Sequence, residues 1–123
     1  MTGANPSGGG AARFDLGGVS PVELEALRRT VAHHERHWDH ESQTLFGVCR
    51  DEMRAVLAGW PESLARADPR AALAVNNALN HSLHGAQPPG PGGVPGMAGV
   101  SRDELQDLFE RLRPRLHAFI DRA

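Results

Sequence analysis

The chain reads as all-α: a small antiparallel helical bundle with one long helix, completed by dimerisation. Three observations predict this. Ser20-Pro21-Val22-Glu23 and Ser101-Arg102-Asp103-Glu104 are capping boxes, in which a serine and a glutamate three residues on satisfy free backbone N–H groups at a helix start. Three segments repeat apolar residues at the helical period. No segment alternates as a strand would.

Residues 1–19 contain six glycines and little apolar surface, so this tail is expected to be disordered, ahead of one helical domain over 20–123. Its apolar island, Arg13-Phe14-Asp15-Leu16, is expected to pack beside the next helix. That helix is predicted over about 21–59. Leu24, Leu27, Val31, Trp38, Leu45, Cys49, Met53, Val56 and Trp60 share a stripe about 80° wide, the pattern of one continuous helix. Its weak points are the polar stretch 39–44 and Gly47.

Pro61 restarts the chain as a short turn over 61–67. Asp68 caps a second helix over 69–84, apolar on Ala72, Val75, Leu79 and Leu83, polar on Asn77, Asn80, His81 and His84, and ended by Gly85. Residues 86–100, with four prolines and five glycines, read as a linker. A third helix is predicted over 102–122, with Leu105, Leu108, Phe109, Leu112, Leu116, Phe119 and Ile120 on one stripe and Pro114 inside it.

Composition removes several function classes. A net charge of −2 gives no bulk attraction to nucleic acid or an anionic membrane. No apolar run is long enough to span a bilayer. The N-terminus lacks the apolar core of a secretory signal, so a cytoplasmic location is expected. Every one of the 13 basic residues is arginine, lysine and tyrosine are absent, and Ile120 is the sole isoleucine, a bias typical of a high-GC bacterium. Its physical consequence is that every lysine-or-arginine cation is a planar fork suited to bidentate pairing. Cys49 has no disulfide partner and, on the stripe beside Leu45 and Met53, reads as a small core residue.

The histidines carry the only pattern that invites chemistry. His33, His37 and His40 lie within about 60° of one another on a helix, and an i, i+4 imidazole pair can chelate zinc, nickel or copper. The same face lies about 130° from the apolar stripe, so it is expected to point outward, as are His81 and His84 on theirs. His33-His34-Glu35 resembles the hemerythrin-like HHE cation-binding proteins. A di-iron bundle needs ligands projecting inward from four helices, and these cluster on one outward face, so that family is not assigned.

No nucleophile constellation, phosphate loop or zinc-ligand spacing accompanies this cluster. The leading expectation is therefore a non-enzymatic protein-interaction or regulatory module, with a metal-binding helical protein as the alternative. A helix over 21–59 would extend about 58 Å, too long for the other two helices to cover. One end of its stripe would then need a second copy or another protein, with Trp38, Trp60, Leu45 and Met53 at the interface.

Overall fold

A computed structural model describes residues 13–66, 68–85 and 92–121. The regular structure of the described residues is all helical, without strands: α1 (Pro21–Arg36), α2 (Ser42–Phe46), α3 (Arg50–Ala58), α4 (Glu62–Ala65), α5 (Pro69–His84), α6 (Gly93–Ala98) and α7 (Arg102–Ile120). No helix among them is long and apolar enough to cross a membrane.

The expected helix over 21–59 is three helices. The first break is made by the polar stretch. The Asp39 carboxylate accepts from the Glu41 N–H at 2.9 Å, and the Ser42 hydroxyl accepts from the Asp39 N–H at 2.9 Å. These short side chains bond the local backbone in place of the helical ladder. The second break falls at Gly47, which ends α2 in the left-handed region at φ 72°. Cys49 then caps α3, and Glu52 returns a bond to its N–H at 2.8 Å.

The breaks fold the stripe back upon itself. Leu27, Val31, Met53 and Val56 are all buried within one chain. The length argument for a partner therefore lapses. Met53 is wholly buried and packs the core, so it offers no interface surface. Trp38 and Trp60 lie half-buried against the same core. Leu45 is 48% exposed while Phe46, off the predicted stripe, is 2% exposed, because the helical phase resets at each break.

α5 is the central element, in contact with α1, α2, α3, α4 and α7. Ala71, Ala72, Ala74, Val75, Ala78, Leu79, Ser82 and Leu83 are buried across about half of its circumference. The four alanines among them let neighbouring helices approach closely. Asp68 caps it as expected, accepting from the Arg70 N–H at 2.9 Å. Its polar side is not simply solvated: Asn77 donates to the Phe46 carbonyl at 3.0 Å and so ties down the α2 terminus.

Two segments expected to lack structure carry it. Within 86–100, α6 buries Val94, Met97 and Ala98, an i, i+3, i+4 apolar set framed by left-handed Gly92 and Gly99. Residues 86–91 of the expected linker lie outside the described residues, as do 1–12 of the expected disordered tail. Residues 13–19 are docked, and against the last helix more than the next one. Phe14 is buried against Phe119 with ring centroids 5.6 Å apart, and its N–H donates to Ala65 at 3.0 Å. Arg115 binds the carbonyls of Asp15 and Gly17 at 2.8 and 3.1 Å.

Candidate functional site

Successive residues on a helix point about 100° apart, and α1 uses this to send His33, His34 and Glu35 three ways. Glu35 turns to α3, where Arg50 and Arg54 donate to it at 2.8 and 3.2 Å and hold its carboxyl below the usual range. His34 turns inward and is 8% exposed. His33 lies on the outer flank beside His37, their ring centroids 4.5 Å apart. The HHE letters therefore build no shared ligand set.

His34 anchors a buried polar chain. Its Nε2 lies 2.7 Å from the Ser82 hydroxyl, which lies 3.6 Å from the Met97 sulfur. The Ser82 hydroxyl can accept from Nε2–H of His34 while donating to the Met97 sulfur, or donate to Nε2 when the ring proton sits on Nδ1. Burial, followed by His33 and His81, lowers the His34 pKa to about 3, which keeps the ring neutral. Phe46 and His81 enclose it, at 4.9 and 5.3 Å between centroids. His81 thus reaches α1 through His34, a residue of the apolar stripe and not of the His33/His37 face.

Above this chain runs a groove of about 390 Å³ between α1 and α6. Arg28, Arg29, Ala32, His33, Arg36 and His37 form one wall, and Gly96 and Met97 the other. Ala32 and Gly96 leave the middle free of bulk. Glu25 binds Arg28 through both oxygens, at 2.8 and 2.6 Å, and lies 3.9 Å from Arg29. Arg36 has no carboxylate partner among the described residues. Burial, His37 and Arg36 together hold the His33 pKa below its usual value.

Of the expected metal ligands, His33 and His37 come together, but His40 lies beyond the end of α1 in the following turn and does not share their helical face. No group of three or more His, Cys, Asp or Glu among the described residues is placed to hold a metal ion. A zinc, nickel or copper site on that triad has no geometric support here. The groove wall formed by Arg28, Arg29 and Arg36 with α6 is not legible in the sequence, because glycine and proline give α6 the composition of a linker. Compared with known proteins, the chain matches no family model, no curated protein and no solved structure.

Proposed function

We propose that the protein is a non-enzymatic helical binding module that docks an acidic segment of another protein in the α1–α6 groove. One observation carries the reading. Three guanidinium groups and two imidazoles line this groove and, among the described residues, no carboxylate does, in a chain whose net charge is −2. A local field opposite in sign to the molecule as a whole selects and steers anionic partners. Burial of both His34 and Ser82 supports a structural role for that pair.

The test is fluorescence anisotropy with a labelled peptide of aspartate and glutamate residues. Binding is expected to weaken with added salt and to fall about tenfold or more in the Arg29→Glu/Arg36→Glu double variant. Both side chains are substantially exposed, so the fold should persist in that variant. Equal binding by the variant would show that the groove is not the docking face.

A further inference from the structure

The inference here rests on the docking reading above and narrows the chemistry of what enters the groove. Arg28, Arg29 and Arg36 contribute three positive charges, and Glu25 is the one carboxylate among the described residues paired with any of them, leaving a local charge of about +2 before either histidine is protonated. The C-terminal end of α1 offsets about half a charge through the helix dipole, and the groove stays positive.

A single carboxylate brings one charge and two oxygens to this site. A phosphoryl group brings a charge of about −1.5 to −2 and three acceptor oxygens. The groove presents more donors than one carboxylate can take: the guanidinium forks of Arg29 and Arg36, each able to bind an oxyanion through two N–H groups, the N–H groups of Arg28 that Glu25 leaves over, and the rings of His33 and His37. They are also concentrated. Arg29, His33 and Arg36 follow one another at i, i+4 and i+7 on one helix face, within about 11 Å along the axis. The space they surround is kept open by Ala32 on one wall and Gly96 on the other. We infer that the groove recognises a phosphoryl group carried by a phosphorylated side chain of the docked protein segment.

The experiment titrates the full chain at pH 7.5 with three probes: an acidic peptide bearing one phosphoserine, the same peptide with glutamate in that place, and inorganic phosphate. The phosphopeptide is expected to bind about tenfold tighter than its glutamate counterpart, and inorganic phosphate to displace it. Arg36→Gln is expected to weaken phosphopeptide binding about tenfold. Arg113→Gln, on α7 where the guanidinium lies over Phe109 and outside the groove, is expected to leave it unchanged. A phosphopeptide advantage over inorganic phosphate supports a modified protein as the occupant, whereas inorganic phosphate binding as tightly as the phosphopeptide overturns that assignment in favour of a free anion. Equal binding of the two peptides overturns this inference and leaves the acidic-partner reading in place. Binding of neither peptide overturns both, and an Arg36→Gln variant that binds like the unaltered chain overturns the assignment to this groove.

Discussion

His34 shows how one residue couples the core to the groove. It sits seven residues after Leu27 and three after Val31, on the apolar stripe itself, so its burial was legible in the sequence. Its residue type groups it with the outward histidines, whereas its helical phase places it with the core. Ser82 and Met97 were not legible, since each lies on a different helix and only tertiary packing brings them to His34. A buried neutral histidine makes stability depend on pH. The folded pKa of about 3 lies below the ordinary 6.5, so between these values the unfolded chain binds a proton that the folded chain does not. Stability from this source is complete above pH 6.5 and is lost as pH falls. Urea unfolding should show a loss of about 2 kcal/mol between pH 7.5 and pH 5. His34→Gln, which keeps a donor for Ser82 and cannot ionise, should flatten most of that slope. An unchanged slope in the variant would mean that another group is responsible.

The helix breaks after α1 and α2 decide what the rest of the chain can do. Capping boxes marked the starts of α1 and α7, and Asp68-Pro69 marked α5, because these signals are local and act through neighbouring backbone groups. The breaks between 36 and 50 were harder to place. Apolar residues remain close to one phase across them, and whether Asp39 and Ser42 bond the backbone or leave the helix intact depends on Phe46 and Val48 finding the core. α6 has the opposite difficulty: glycine and proline dominate its composition, and its i, i+3, i+4 apolar triplet is too short to outweigh them. Gly47 is the position where the break is most exposed to test. Its φ of 72° is costly for any side chain, and a Cβ there would come within 2.8 Å of Leu73 Cδ2. Gly47→Ala should lower the unfolding free energy by about 1 kcal/mol, the left-handed strain outweighing the gain from a stiffer unfolded chain. A denaturant midpoint at or above that of the unaltered protein would show that α2 and α3 can rejoin without penalty.

At the scale of the whole molecule, burial and charge are separately organised. Most of the apolar stripe is buried inside one chain, and among the described residues the exposed large hydrophobics, Val22 and the stripe's own Leu45, lie far apart in sequence. Trp60→Ala should therefore cost on the order of 2 kcal/mol of stability through lost packing, while light scattering gives the same mass as the unaltered protein. A change of mass would mean that the tryptophan joins copies together. Charge, by contrast, is segregated: carboxylates predominate overall, and the α1–α6 groove collects arginine and histidine. The most direct test of that groove as an anion site is the titration of the His33 imidazole by nuclear magnetic resonance, with and without sulfate, whose charge is constant over the range. Burial, His37 and Arg36 depress its pKa in the free protein. An anion bound beside it favours the charged ring, so its pKa should rise with sulfate, while the buried ring of His34 stays neutral. A His33 titration unmoved by saturating sulfate would contradict the account.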